Sequence, residues 1–160
     1  MIRSLYKAFS TTCRRRRAAL LCTYLRPTED DRILDLGSGD GSFIASIVPF
    51  RKNVLIADID ENVLSRARAR YGFETVLLDS SGVLPFEDDY FDIVHCNSVI
   101  EHVTIDKEHA WAIQSQEQFE RVAFARQRTF AGEIRRVGKS YFVQTPNRNF
   151  GHGSNKSNSG

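Results

Sequence analysis

Three acids and a cluster of glycines carry the chemistry legible in this chain. Asp35-Leu36-Gly37-Ser38-Gly39-Asp40-Gly41 sets a carboxylate ahead of three glycines within seven residues. Glycine lets a backbone approach a ligand closely and take dihedral angles closed to other residues. A helix opening behind such a loop offers unpaired amides and a positive dipole end. Asp58 follows nineteen residues after Gly39, where a strand-end carboxylate can accept both hydroxyls of a ribose. Asp79 is a third acid at the end of an apolar run, with turn capping as its alternative role. A lone Gly-x-Gly is a weak signal, but here it follows a strand pattern and opens a helical one, the context a nucleotide loop requires. The nicotinamide fingerprint Gly-x-Gly-x-x-Gly is not met, because the third glycine comes one residue early, at Gly41. Asp35 is also poorly suited to a pyrophosphate and better suited to a ligand bearing an amine. Gly41 reads as a helix–strand packing position and Asp60 as a helix cap.

The elements that must position these residues alternate between strand and helix. Apolar strand runs fall at residues 32–36, 53–57, 75–78, 91–96 and 141–144. Between the first and second, Phe43, Ile44, Ile47 and Val48 carry helical spacing, and Pro49 stops that helix. Asp60 caps the next helix, whose inward face is Val63, Leu64 and Ala67, and Gly72 ends it. Asp106 is a candidate cap for a long helical region with Phe119, Val122, Ala123, Phe130, Ile134 and Val137 on one face, and Gly132 is a candidate break. Strands separated by helices imply right-handed crossovers and a parallel sheet covered on both faces. All three strand ends then face one crevice at the carboxyl edge of that sheet.

A chain of 160 residues suits one domain. No apolar run approaches the roughly 20 residues of a membrane-spanning helix. Cys13, Cys22 and Cys96 are widely spaced and form no CxxC pair, so neither a disulfide framework nor a zinc site is expected. A reducing, cytoplasmic location is the expectation. Glu101, His102, Glu108 and His109 have the spacing of no common metal site, and no metal is expected. Residues 1–26 hold seven basic side chains and no acid, against fifteen basic and twenty acidic in the remainder. This basic N-terminal segment is expected to form two short helices or one interrupted helix. Its run Arg14–Arg17 reads as a solvated face, a substrate-facing helix, an anionic-surface patch or a targeting segment. Residues 27–148 are expected to form the ligand-binding domain, and residues 149–160, rich in Gly, Ser and Asn, a disordered tail.

Taken together, the ordered motifs resemble those of class I S-adenosylmethionine-dependent methyltransferases. Residues 35–41 match the family's Asp-x-Gly-x-Gly-x-Gly motif, and Ala57-Asp58-Ile59-Asp60 is similar to the acidic end of its second strand. Leu84-Pro85-Phe86 through Phe91-Asp92-Ile93-Val94, then Glu101-His102-Val103, and then Glu133-Ile134-Arg135-Arg136-Val137 resemble later family segments. The resemblance runs from about residue 18 to residue 148. It implies a Rossmann-like doubly wound α/β sheet of strand order 3-2-1-4-5, S-adenosyl-L-methionine as cofactor and a small-molecule acceptor. By resemblance, Asp35 orients the methionine amine, directly or through water, and Gly37, Ser38 and Gly39 lie against the methionyl portion. Asp58 holds the ribose hydroxyls, Ile59 packs on adenine, Asp79 and Ser80 meet the adenine amine, and Asn97 approaches the methionyl end.

Methyl transfer from a sulfonium is an in-line displacement that needs alignment and no covalent nucleophile. A base matters only where the acceptor must lose a proton. His102 is the candidate base, ahead of His95 and His109, and its plainer role is structural. His95 falls inside an apolar strand and reads as a packed core histidine.

Two departures from the family pattern bear on function. The stretch between Val103 and Phe130 is long for a connection and reads as a lid, an acceptor-binding insertion or an extended helix. The family sheet has seven strands and only five are legible here, which implies an exposed edge at strand five and an uncovered sheet face. A homodimer covering that edge is one expectation, and a truncated, non-catalytic binder of the cofactor is the alternative to an enzyme. The largely acidic remainder, with no Asn-Pro-Pro-Tyr-type segment, disfavours nucleic acid as a partner.

Overall fold

The computed structural model describes residues 2–37, 39–104, 113 and 115–145. Five strands, β1 (Ile33–Leu36), β2 (Val54–Asp58), β3 (Glu74–Leu77), β4 (Phe91–Asn97) and β5 (Gly138–Gln144), form one sheet. Its order is β3-β2-β1-β4-β5 and every pairing is parallel. The expected doubly wound α/β architecture is therefore present. β1, the central strand, is buried along its whole length, as a strand covered on both faces must be.

The helices divide between the two faces. α2 (Ser42–Ile47) and α3 (Glu61–Tyr71) bury Phe43, Ile44, Leu64 and Ala67. One core joins Ile44, Leu64 and Ala67 to Ile33, Val54, Ile56 and Ile93. α4 (Gln116–Val137) buries Phe130, Ile134 and Val137 against Leu34, Leu36, Ala57, Val94 and Cys96 in the other core. The α3 boundaries follow the sequence signals: the Asp60 carboxylate accepts from the Asn62 amide at 2.9 Å, and Gly72 closes the helix in the left-handed conformation.

Four expectations need correction. The N-terminal segment is a single helix, α1 (Ile2–Leu25), not two pieces. No Gly or Pro falls within it, and its Ala, Leu and Arg residues favour continuation. α4 starts at Gln116, capped by Ser115, whose hydroxyl accepts from the Gln118 amide at 3.1 Å; Asp106 lies outside the described residues. Gly132 does not break α4, because Phe130, Ile134 and Val137 around it are anchored in the core. Strand five begins at residue 138, three residues early, since Gly138 turns straight from helix into strand with no connecting loop.

β5 is an edge strand, paired on one side with β4. The expected bare face is only partly bare. On the side where Phe142 lies beside His95, α1 and α2 pack nearby, Arg17 standing over the Phe43 ring at 5.6 Å. On the other side Tyr141 and Val143 remain exposed. The expected tail at residues 149–160 lies outside the described residues. No described helix is long and apolar enough to cross a membrane.

Candidate functional site

The carboxyl ends of β1, β2 and β4 open onto a cavity of about 280 Å³. That lies near the lower bound of about 300 Å³ usual for small-molecule pockets. Asp58 and Ile59 border it at the end of β2, Asp79 and Ser80 just beyond β3, and Gly37 at the end of β1. His102 and Val103 close one side, and Arg126 and Phe130 of α4 another.

Local bonding explains how each side chain is held. Gly37 takes φ 67°, donates its amide to the Ala57 carbonyl at 2.7 Å, and so ties the end of β1 to the end of β2. A Cβ on residue 37 would meet Val99 Cγ2 at 2.7 Å, so the loop and the segment after β4 touch through glycine. The Asp58 carbonyl accepts from Leu78, and its Oδ1 accepts from the Asp60 amide at 3.0 Å. Asp58 Oδ2 makes no hydrogen bond with the described residues. Asp79 Oδ1 accepts from the Ser81 amide at 2.9 Å and from its hydroxyl. The Ser81 hydroxyl first, then the amide, holds the Asp79 carboxyl below the ordinary carboxylate range. Asp79 therefore caps a turn and lines the cavity as well.

Of the residues singled out by sequence, the fold gathers Gly37, Asp58, Ile59, Asp79, Ser80 and His102 around one cavity. Gly39, Asp35 and Asn97 do not line it, and Ser38 lies outside the described residues. Asp35 is wholly buried, with Oδ1 2.6 Å from Nδ1 of His95, itself wholly buried between the Phe43 and Phe142 rings. His95 is thus the packed core histidine expected, and the Asp35 carboxylate faces the core and not the cavity. Asn97 accepts at Oδ1 from Arg17 Nη1, 3.1 Å away on α1. Gly41 packs its α-carbon against Phe73, where a Cβ would stand 3.1 Å from the ring.

Sequence reasoning missed Arg126 and Ser98. Arg126 donates to the Ser80 carbonyl at 2.5 Å and brings α4 over the cavity. It is one arginine among several on a helix, and nothing in its spacing marks it. Ser98 lines the cavity in a left-handed conformation, φ 57°, and a non-glycine residue there is uncommon outside functional or turn positions. Beside this corner the Cys96 thiol is pushed up to about 12, by burial first and then by the charges of Asp35 and Glu101.

The parallel sheet, the glycine turn at its central strand and the carboxylates at the next two strand ends form a crevice at the carboxyl edge, where open α/β sheets hold their ligands. The family model described as "Methyltransferase domain" matches residues 34–140, from β1 into β5. The chain belongs to the class I S-adenosylmethionine-dependent methyltransferase family. It is 34% identical over 104 residues to the ubiquinone/menaquinone biosynthesis C-methyltransferase UbiE of Vibrio vulnificus, a match covering 59% of this chain and 39% of that one. It is 38% identical over 72 residues to the demethylmenaquinone methyltransferase of Clavibacter sepedonicus, covering 42% and 29%. The fold is shared with the PH0226 protein of Pyrococcus horikoshii OT3, at TM-score 0.60 and 22% identity, covering 81% of this chain and 51% of that one. The chain thus spans well under half the length of the curated relatives it matches.

Proposed function

We propose that the chain binds S-adenosyl-L-methionine at the carboxyl edge of the sheet and directs methyl transfer to a small-molecule acceptor. The observation that carries this reading is the cavity of about 280 Å³ bordered together by Asp58, Ile59, Asp79 and Ser80. Asp58 presents a carboxylate oxygen to the ribose hydroxyls, and the 68% exposed side chain of Ile59 is available to the adenine face. Asp79 and the Ser80 backbone meet the adenine amine. Gly37, Ser38 and Gly39 are assigned to the methionyl portion by the family resemblance, with Asn97 at its far end. When bound, the cofactor supplies a methyl group already activated by the sulfonium. The work left to the protein is alignment of the acceptor along the line of displacement. His102 is exposed at the rim of the cavity and takes a proton where the acceptor must lose one.

The similarity to the demethylmenaquinone methyltransferase of Clavibacter sepedonicus makes demethylmenaquinone the first acceptor to assay. Titration calorimetry with S-adenosylmethionine and S-adenosylhomocysteine, with transfer of a radiolabelled methyl group to that acceptor, tests the reading. Binding of both ligands with transfer is the expected result. Binding without transfer to any acceptor would reduce the chain to a cofactor-binding domain, and no binding would end the reading altogether.

A further inference from the structure

The first acid of the chain is Glu29, so the whole of α1 is positive, with Arg3, Lys7 and the four consecutive arginines Arg14–Arg17. A helix face kept in water ordinarily interleaves acids with bases, because like charges one turn apart repel. Arg14, Arg15 and Arg16 are exposed, and among the described residues no carboxylate pairs with any of them.

Packing fixes which side of α1 is outward. Leu21 is buried, Leu25 packs against the core that holds Ile33 and Val48, and Arg17 turns in to donate to Asn97. Arg16, Leu20 and Tyr24 follow one another at four-residue spacing and so form one row along the helix. Leu20 in that row is 47% exposed and Tyr24 75%. Arg15 and Arg26 are exposed as well. The outward surface thus joins guanidinium groups to a leucine and a tyrosine, with no acid among them. An anionic lipid surface matches that combination. Arginine side chains reach the headgroup phosphates, while apolar and aromatic groups beside them enter the boundary with the acyl chains. A nucleic acid would meet the arginines and leave Leu20 without a counterpart.

We propose that the outward face of α1, formed by Arg15, Arg16, Leu20 and Tyr24 with Arg26 just beyond the helix, docks on an anionic phospholipid bilayer. Arg17 ties the same helix to Asn97 at the carboxyl end of β4, so docking holds that end of the sheet close to the bilayer. None of the docking residues lines the cavity, and the surface stands whether or not the cavity holds a cofactor.

Co-sedimentation of the full chain with two kinds of vesicle tests this, one of phosphatidylglycerol mixed with phosphatidylcholine and one of phosphatidylcholine alone. The expected result is affinity for the anionic vesicles at least about ten-fold higher than for the neutral ones. That preference should fade as the screening length shortens from about 10 Å to about 3 Å between ~0.1 M and ~1 M salt. Arg15→Gln combined with Arg16→Gln should lower affinity for the anionic vesicles about ten-fold or more. Leu20→Ser combined with Tyr24→Ser should lower it about five-fold, because binding scales with the apolar area inserted. Thermal unfolding of both double variants should match wild type, since all four side chains are exposed. Equal affinity of wild type for the two kinds of vesicle, or binding to neither, would overturn the docking without recourse to any variant. So would a folded double variant of either kind that binds as wild type does. Tighter binding of wild type to a random-sequence RNA than to the anionic vesicles would also overturn it and assign the arginines to nucleic acid.

Discussion

Asp35 and His95, sixty residues apart, meet across the adjacent strands β1 and β4 with 2.6 Å between carboxylate and ring nitrogen, both shut away from solvent. The pair joins the two central strands at the point where the glycine loop leaves the sheet. Removing one member of a buried pair strands the other, at about 3–5 kcal/mol. Asp35→Ala should therefore lower unfolding stability by that amount in urea titration. Asp35→Asn, which keeps an acceptor facing Nδ1, should lower it by less. An alanine variant within about 1 kcal/mol of wild type would show that the pair does not organise the sheet.

Asp58 and Asp60 separate ligand binding from folding two residues apart. Asp58→Ala should weaken S-adenosylhomocysteine binding by roughly 1.5–3 kcal/mol, the scale of hydrogen bonds to a charged group. Asp60→Ala should leave affinity alone and lower stability by about 1 kcal/mol through loss of the α3 cap. Calorimetry and thermal unfolding of the two variants read the contrast directly. An Asp58 variant with unchanged affinity would remove the ribose assignment.

Two glycines of the α4–β5 segment should respond in opposite directions to alanine. At Gly138 the added Cβ would stand 2.5 Å from Val94 Cγ2 with backbone on two other sides. Gly138→Ala should cost about 1–3 kcal/mol by overpacking. At Gly132, exposed within α4, the Cβ meets nothing within 4 Å. Gly132→Ala should stabilise by about 0.5–1 kcal/mol, because alanine is the better helix former. Chemical denaturation of both variants checks the sign as well as the size.

Arg136 ties α4 to the segment bordering the cavity. It donates to Glu133 through Nε at 2.8 Å and Nη2 at 2.7 Å, and to the Leu84 and Phe86 carbonyls. Glu133 in turn accepts from the Leu84 amide at 2.8 Å. The Arg136 bonds are the main reason the Glu133 carboxyl sits below its ordinary range. A carboxyl lowered on folding stabilises the protein fully above its unfolded pKa, about 4.3, and that contribution fades as pH falls through the folded value. Arg136→Met should therefore lower stability at pH 7 and flatten the loss of stability below about pH 4.3. Urea titrations across that range should show the two acid limbs converging. Parallel limbs would detach Glu133 from this linkage.

The alternation of strands and helices was legible in the chain, and the strand order was implied by the family resemblance. The apolar runs, the cap at Asp60 and the stop at Gly72 are local signals, each acting within one turn of chain. The same locality explains the errors at α1, Gly132 and the start of β5. A continuous helix at α1, an unbroken α4 and a helix that runs directly into a strand are decided by what packs on them, not by the residues alone.

The site divides along the same line. Spacing along the chain determined the glycine turn and the strand-end acids Asp58 and Asp79, because in a parallel sheet the end of each strand reaches the same edge. Only the tertiary structure decided that Asp35 turns inward to His95, that Arg126 of α4 closes over Ser80, and that Arg17 of α1 reaches Asn97 at the end of β4. Those relations join residues 46 to 80 or more positions apart and depend on how helices lie across the sheet. No periodicity in the chain encodes that distance.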